Sequence, residues 1–415
     1  MLRIHDGRTG TSGEIAVGRA LRMYACVPSA DGRPRLGELR PLLTADLIRR
    51  VLERGRVRVV ACRPRGSVPG GSSLGGSSLG GSSLGGSAYG GSAYGGFSGE
   101  GGERDAADLN VRPAEHAPLP DETVPLAVRL VETLVEKGHA YVAPGGIVFF
   151  AAGTYPGLSA HTADAAGEAS HGMAGGGGEA EGRRSPADWV LWRPAGTEPS
   201  WESPWGRGAP GPHVACSAVA LGLLGGRVDV HVGGGGAYDE RERAQSDAAA
   251  GHEVVRHRVR TAEVSFGSRP ADAGAGEAVG PSASTDTRPD TGTSLSDVVE
   301  AGLDPLAVRM AFLEHHYRRP IGLTWDTLCA ADRAVRHWRA RVARWSESPS
   351  APMAAEYVKR VEAALDDDLD TPGALRVLRE LEEDASVSPG AKFEAFLHVD
   401  QVLGLDLSSD IGKSL

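Results

Sequence analysis

The sequence lacks the features that mark secreted, membrane-spanning and nucleic-acid-coating proteins. Its four cysteines (Cys26, Cys62, Cys216 and Cys329) form no Cys-x-x-Cys pair, which favours a reducing compartment over a disulfide scaffold. No apolar run approaches the roughly 18 to 20 residues that span a bilayer, and the N-terminus lacks a signal pattern. Lys and Arg number 44 against 54 Asp and Glu, and the formal charge of −10 offers phosphate backbones no general attraction. We therefore expect a cytoplasmic protein without a membrane segment.

Glycine, in contrast, is abundant, with 58 residues in a chain of 415. Residues 66–103 contain three GSSLG and two GSAYG pentads, and no apolar period there could build a core. This composition predicts a flexible linker, although its regular Leu and Tyr leave weak self-association open. Residues 267–292 are a second predicted linker.

The segments around these linkers show the periodicities of an α/β protein. Residues 21–28 (LRMYACVP) predict a buried strand, residues 39–53 an amphipathic helix, and residues 57–62 the next strand. The order strand, helix, strand predicts a parallel, doubly wound sheet that binds ligands at the carboxyl ends of its strands.

Two further segments have clear patterns. Residues 121–138 predict an amphipathic helix with Gly138 as its C-terminal cap, and residues 139–150 predict a hairpin around Pro144 to Gly146. His139 is interpreted as an ordinary hairpin residue. Residues 228–232 predict a strand.

Residues 200–218 (SWESPWGRGAPGPHVACSA) are dense in proline, glycine and tryptophan. Proline fixes φ and removes a donor while glycine permits left-handed conformations, so the segment is predicted to be an ordered irregular loop, neither helix nor hairpin. Trp201 and Trp205 are its candidate anchors. Cys216 begins an apolar run and is either a small core residue or part of a binding site.

Several of these motifs together resemble the cysteinyl-tRNA synthetase family, including the related cysteine ligase of mycothiol biosynthesis. Residues 188–218 are similar to the family's catalytic-domain segment, MYACVP (23–28) to its opening Met-Tyr-x-Cys-Gly-Pro, and residues 293–335 to its stem-contact segment. The resemblance implies a class I synthetase fold, an α/β Rossmann-like parallel sheet interrupted by an inserted connective peptide and followed by a C-terminal helical bundle. The implied divisions are 1–65 and 188–266 for the two halves of the nucleotide-binding domain, 66–103 for a linker, 104–187 for the insertion, 267–292 for a second linker and 293–415 for the stem-contact segment and bundle.

In this family a zinc ion grips the thiolate of the substrate cysteine. The resemblance places Cys26, Cys216 and Glu242 on three of its four ligands and Tyr238 on the histidine ligand. A phenol, with a pKa near 10, is a poor replacement for an imidazole. The sequence therefore leaves zinc occupancy open. The implied cysteine pocket comprises Trp205 together with two histidines, His213 and His231, that are candidate substitutes for the lost nitrogen donor.

The ATP signatures depart further from the family. Arg35, Gly37 and Glu38 fall on the His-Ile-Gly-His signature, whose histidines stabilise charge on the phosphates of ATP, and only the glycine survives. Arg35 still offers positive charge, whereas Glu38 is expected to repel a triphosphate.

The second ATP signature, Lys-Met-Ser-Lys-Ser, is expected near residue 267. Residues 267–292 contain no lysine, and Arg269 and Arg288 are the cations available there. In the family, the segment after the second strand builds part of the active-site wall. In this sequence the glycine-rich linker of residues 66–103 stands in its place.

These departures favour a degenerate family member, a catalytically impaired or inactive homologue that retains part of a cysteine pocket. Two alternatives stay open: an active ATP-dependent cysteine ligase acting through cysteinyl-AMP on tRNA or a small amine, and a non-catalytic regulatory subunit that binds a protein partner through the helical bundle. The implied small-molecule partners are L-cysteine and ATP. Tight tRNA binding is not expected, because the chain is acidic and lacks the family's basic tail.

Overall fold

The structure is a computed structural model that describes residues 1–16, 18–26, 28–29, 34–64, 94–95, 99–156, 158, 182–195, 200–211, 214–234, 237–267 and 293–413. Apart from residues 94–95, 99–103 and 267, both predicted linkers lie outside this part of the chain. Among the helices it contains, none combines the length and the apolar character needed to cross a membrane.

Strands and helices alternate along the first half of the chain. In order they are β1 (Arg3–Asp6), β2 (Thr11–Glu14), β3 (Leu21–Ala25), β4 (Pro28–Ser29), α1 (Leu39–Arg54), β5 (Val59–Cys62), β6 (Tyr94–Gly95), α2 (Gly99–Asp108), α3 (Pro120–Glu136), β7 (Ala140–Val142), β8 (Val148–Phe150), β9 (Trp189–Pro194) and β10 (Gly208–Pro210).

Helices dominate the second half. They and their strands are α4 (Val214–Leu224), β11 (Val228–Gly233), α5 (Ala237–Ala250), β12 (Val255–Arg260), β13 (Val264–Phe266), α6 (Leu295–Glu300), α7 (Leu306–Leu313), β14 (Ile321–Leu323), α8 (Trp325–Ser346), α9 (Ala355–Asp366), α10 (Thr371–Glu383) and α11 (Pro389–Leu403).

A four-stranded parallel sheet forms the centre of the fold. Its strand order is β12-β11-β3-β5, so β3 and β5, which lie on either side of α1 in the chain, are neighbours in the sheet. In this register Tyr24 on β3 faces Cys62 on β5 and His231 on β11. The α/β prediction is confirmed. The chain returns to the sheet with α4, β11, α5 and β12, and that return places His231 beside β3.

A four-stranded antiparallel sheet, ordered β10-β9-β8-β7, lies between β5 and α4 in the chain, where the insertion is expected. The predicted hairpin at 139–150 is present as β7 and β8, with Gly145 and Gly146 at positive φ in the connection. The sheet continues to Pro210, beyond the division expected after residue 187. Helix α3 covers one of its faces with an apolar stripe that includes Val124, Leu130 and Leu134.

The prediction of an irregular loop at 200–218 is wrong over much of its length. Residues 208–210 are a strand, Trp201 and Gly208 exchange two backbone hydrogen bonds (2.7 and 2.9 Å), and helix α4 begins at Val214. The glycines serve close strand packing, since a Cβ on Gly211 would lie 1.9 Å from the carbonyl oxygen of Val190. Glycine density in this segment reflects neighbours distant in sequence.

One continuous apolar core joins the parallel sheet, α1 and the C-terminal helices. Arg309 on α7 is buried within this region, where its guanidinium donates to Asp46 of α1 (2.6 Å) and to the carbonyl oxygens of Leu109 (3.0 Å) and Leu403 (2.5 Å). The helical bundle is therefore fixed to the helix that starts at the expected ATP signature.

Candidate metal centre

Three side chains that are distant in sequence meet above the carboxyl end of β3. Cys26 directly follows β3, Cys216 lies in the first turn of α4, and Glu242 lies on α5. The Sγ atoms of the two cysteines are 3.7 Å apart, and the Cys26 thiol donates to Glu242 Oε1 at 3.2 Å. One donor atom from each residue lies within 4.8 Å of the other two, and all three residues are buried. The structure thus brings together the metal ligands expected from the sequence.

The spacing of these donors fits one zinc ion. Two sulfurs bound at about 2.3 Å to a tetrahedral zinc lie about 3.8 Å apart. The observed sulfur separation of 3.7 Å matches this value and is far from the roughly 2.05 Å of a disulfide. The neighbouring sulfur of Cys216 and burial both raise the pKa of the Cys26 thiol well above its usual range. A bound cation favours the opposite state, because a coordinating thiol loses its proton.

His231 and Tyr24 form the floor beneath these donors. Their rings stack with centroids 5.5 Å apart, and His231 Nε2 lies 3.1 Å from Glu242 Oε2. Within the described part of the chain, His231 Nδ1 is buried without a hydrogen-bond partner. Burial, together with the nearby sulfurs and Glu242, raises the pKa of Tyr24, so its phenol is neutral. Sequence reasoning missed Tyr24, although its two-residue spacing from Cys26 on a strand places both side chains on one face.

A third thiol, that of Cys62, lies on the same face of the sheet. It is opposite Tyr24 in the strand register and packs in one apolar cluster with Cys26 and Cys216. Burial, and secondarily Cys216, raises the pKa of Cys62 to about 12. The Cys62 thiol is therefore protonated and packs as a small apolar group.

The remaining expected pocket residues are placed differently. The ring of Trp205 lies 5.9 Å from that of Trp192, in the apolar cluster of the insertion and not among the cysteines. Trp201 donates from Nε1 to Asp121 on α3 (2.9 Å). Both tryptophans anchor the segment to the insertion, and Trp205 does not join the three metal donors. His213 and the side chain of Tyr238 lie outside the described residues.

The residues expected at the ATP signature lie at the start of α1. The backbone N–H of Arg35 donates to Glu38 Oε2 (2.9 Å), so the Glu38 carboxylate caps the turn. A Cβ on Gly37 would lie 3.3 Å from the Val264 carbonyl oxygen, so glycine permits the close approach of β13.

Residues on both sides of the second predicted linker lie beside the turn at the start of α1. Leu36 donates from its backbone N–H to the Thr293 carbonyl oxygen (3.0 Å), and Arg35 forms a β-bridge with Ser294. The first segment expected to contact ATP therefore adjoins the residues that directly follow the second predicted linker.

The fold is that of the class I tRNA synthetases. A family model described as the tRNA synthetases class I (C) catalytic domain matches residues 100–270. The methionyl-tRNA synthetase of Mycobacterium tuberculosis bound by methionyl-adenylate shares the fold, with a TM-score of 0.53 at 12% identity over 93% of this chain and 92% of that one.

Sequence comparison narrows the class to one family. The chain is 30% identical over 391 residues to the cysteine–tRNA ligase of Alkalilimnicola ehrlichii, covering 92% of this chain and 79% of that protein. It is 32% identical over 312 residues to the L-cysteine:1D-myo-inositol 2-amino-2-deoxy-alpha-D-glucopyranoside ligase of Kribbella flavida, covering 73% and 72%. The chain belongs to the cysteinyl-tRNA synthetase family, which includes this sugar-amine ligase.

Proposed function

We propose that this protein binds L-cysteine through a zinc ion held by Cys26, Cys216 and Glu242, and that its activation of cysteine by ATP is impaired. The observation that carries this proposal is the meeting of two thiols and a carboxylate in one buried site, with spacings that suit zinc. The family relatives, named for cysteine ligation, supply the substrate class.

The chemistry of the donors explains how such a site selects its amino acid. Zinc supplies a Lewis acid that prefers a thiolate to a hydroxyl, so cysteine is distinguished from the isosteric serine. Tyr24 and the apolar side chains around Cys216 exclude water on the sheet side, and the low dielectric there strengthens each charge interaction. The protein contributes the two thiols, the carboxylate and an apolar surface beneath them that excludes water.

Impaired activation follows from the charges at the start of α1. A helix start normally favours the negative charge of a phosphate, but here the Glu38 carboxylate caps the turn itself. The negative charge of Glu38 repels the negative charge of a triphosphate at this position and weakens its binding. Arg35 is a cation beside Glu38. The cysteine half of the ancestral site is thus retained more completely than the ATP half.

An active ATP-dependent cysteine ligase is the second candidate. The observation that favours it is the adjacency of Arg35 and Ser294, which places the first expected ATP segment beside the residues that follow the second predicted linker. A ligase of this kind would pass cysteine from cysteinyl-AMP to tRNA or to a small amine, the acceptors named among its relatives.

Calorimetric titration of the zinc-loaded protein with L-cysteine and with L-serine tests cysteine binding. We expect heat of binding for cysteine alone, and its loss in Cys216→Ser. Cys329→Ser is the matched control, because Cys329 lies on α8 outside the three-donor group. Equal zinc content in Cys216→Ser and the unaltered protein would contradict the proposal.

Cysteine-dependent exchange of labelled pyrophosphate into ATP separates the two candidates. Exchange near background together with cysteine binding supports the impaired homologue. Sustained exchange that requires cysteine would establish the active ligase instead, and it would refute the impairment while leaving the zinc site in place.

A further inference from the structure

One contact at the metal centre lies beyond the three donors. His231 on β11 directs Nε2 at Glu242 Oε2 (3.1 Å), while the other oxygen of Glu242, Oε1, faces Cys26. The carboxylate is therefore held from both sides, by a histidine at one oxygen and by a thiol at the other.

The chemistry of the two groups fixes the proton on His231. An ionised carboxylate only accepts hydrogen bonds, so Nε2 must carry the hydrogen and donate it to Oε2. His231 Nδ1 is buried without a hydrogen-bond partner in the described part of the chain, so the hydrogen-bonding contact of this ring there is the one that Nε2 makes with Glu242. An imidazole that carries a hydrogen on Nε2 satisfies the contact to Glu242.

The two contacts to Glu242 respond differently to metal binding. The contact at Oε1 uses the Cys26 thiol proton, which a coordinating cysteine gives up. The contact at Oε2 uses the imidazole N–H and does not depend on that proton. Of these two contacts, the one from His231 can therefore hold the carboxylate in the same orientation with and without a metal.

The supports of both groups are rigid. His231 lies in a strand paired on both sides, and its ring stacks on buried Tyr24. Backbone atoms of Glu242 are fixed from α4 and α5, since the hydroxyls of Ser217 (3.2 Å) and Ser246 (2.8 Å) donate to its carbonyl oxygen. A histidine on a rigid strand meets a glutamate on a rigid helix, as in the outer partners that orient metal ligands.

We propose that His231 is a positioning residue of the metal centre, whose Nε2–H holds Glu242 Oε2 so that Oε1 faces the two sulfurs. This inference rests on the proposed zinc site and assigns His231 a role outside the ligand set. His231 acts through Glu242 and does not bind the metal itself.

Two amide variants of His231 test the inference, because they share polarity and differ in reach. Gln in His231→Gln can place an N–H near the position of Nε2, whereas the shorter Asn in His231→Asn cannot. His257→Gln is the control, since His257 lies on the adjacent strand paired with Val230 and therefore on the other face of the sheet. The measurements are zinc affinity by competition with a chromophoric chelator and the cadmium-113 NMR shift of the cadmium-loaded protein.

We expect His231→Asn to bind zinc 10- to 100-fold more weakly and His231→Gln to stay within a few fold of the unaltered protein. The cadmium resonance should keep its position in His231→Gln, because the ligand atoms are unchanged. Thermal unfolding of the metal-free variants checks that both fold.

Equal zinc affinity in His231→Asn and the unaltered protein would overturn the inference and leave the proposed site intact. A large shift of the cadmium resonance in His231→Gln would also overturn it, because His231 would then be a ligand. Absence of zinc binding by the unaltered protein would refute the proposed function and this inference together.

Discussion

Replacement of Asp46 by Asn should weaken the junction between the sheet and the helical bundle more than any change of an exposed carboxylate. Asp46 Oδ2 accepts from Arg309 Nη2 (2.6 Å) and Arg50 Nε (2.7 Å), and Oδ1 accepts from the backbone N–H of Arg112 (2.9 Å). The Asp46 and Arg309 side chains are 1% and 2% exposed. Asp46→Asn keeps the size of the side chain and removes the negative charge on α1 that faces these two guanidinium groups.

The expected loss follows from the buried pair. Burial alone would raise the pKa of Asp46, but Arg309 and Arg50 outweigh it and hold that pKa below its usual value. Removing one partner of a buried ion pair costs about 3–5 kcal/mol, since the other charge stays buried and loses its ionic partner. We expect the free energy of unfolding to fall by about that amount at pH 7.

The same carboxylate gives a pH dependence of known sign. Because the folded state lowers the pKa of Asp46, its contribution is complete above the unfolded value of about 3.9 and is lost as the pH falls through the lower folded value. Asp46→Asn should therefore unfold with a shallower acid dependence than the unaltered protein.

Urea unfolding followed by circular dichroism, at pH 7 and at several lower values, measures both effects. Asp326→Asn is the control, because Asp326 is exposed on α8, and it should change the free energy of unfolding by less than about 1 kcal/mol. A loss below about 1 kcal/mol in Asp46→Asn, or an unchanged acid dependence, would refute the assignment of this pair as the junction.

Three further changes probe other parts of the structure. Gly404→Ala should lower the melting temperature, because Gly404 has φ +67° and a Cβ there would lie 2.9 Å from Arg309 Cζ. Gly302→Ala is its control, because Gly302 has φ +81° and a Cβ there meets open space, so that this variant measures the backbone cost alone, about 1–2 kcal/mol. Glu38→Gln keeps a capping oxygen and removes a charge, so ATP should bind about 1 kcal/mol more tightly by equilibrium dialysis at low salt, with the gain shrinking as salt is added. Glu242→Gln should raise the melting temperature of the metal-free protein and abolish its further rise with zinc; a fall in the metal-free form would contradict the cost assigned to this buried charge.

Much of the fold was predictable because its signals are local. The apolar face of α1 and the short strands on either side of it repeat with helix and strand periods, and these periods alone predict a parallel sheet. The hairpin around Gly145 was predictable for the same reason, because turn chemistry belongs to adjacent residues.

The parts that sequence reasoning missed depend on distant neighbours. Gly208 and Gly211 suggest an irregular loop when the sequence is considered alone. In the structure they are needed because β9 packs closely against them. Trp205 belongs to the insertion because Trp192 is there to pack against it. The stack of Tyr24 on His231 exists only through the pairing of β3 with β11. No periodicity within one segment reports such contacts.

The residues at the expected ATP signature and the three metal donors also differ in how far packing alone explains their presence. Arg35 and Glu38 are at an accessible helix start, where substitution costs little. Cys26 and Cys216 are small apolar groups that a core accepts readily, so their presence by itself says little about zinc. Glu242, at 5% exposure, is different, because a core without a cation would favour an apolar side chain at this position. The buried carboxylate, more than the cysteines, is therefore the feature of this site that the proposed zinc ion would explain.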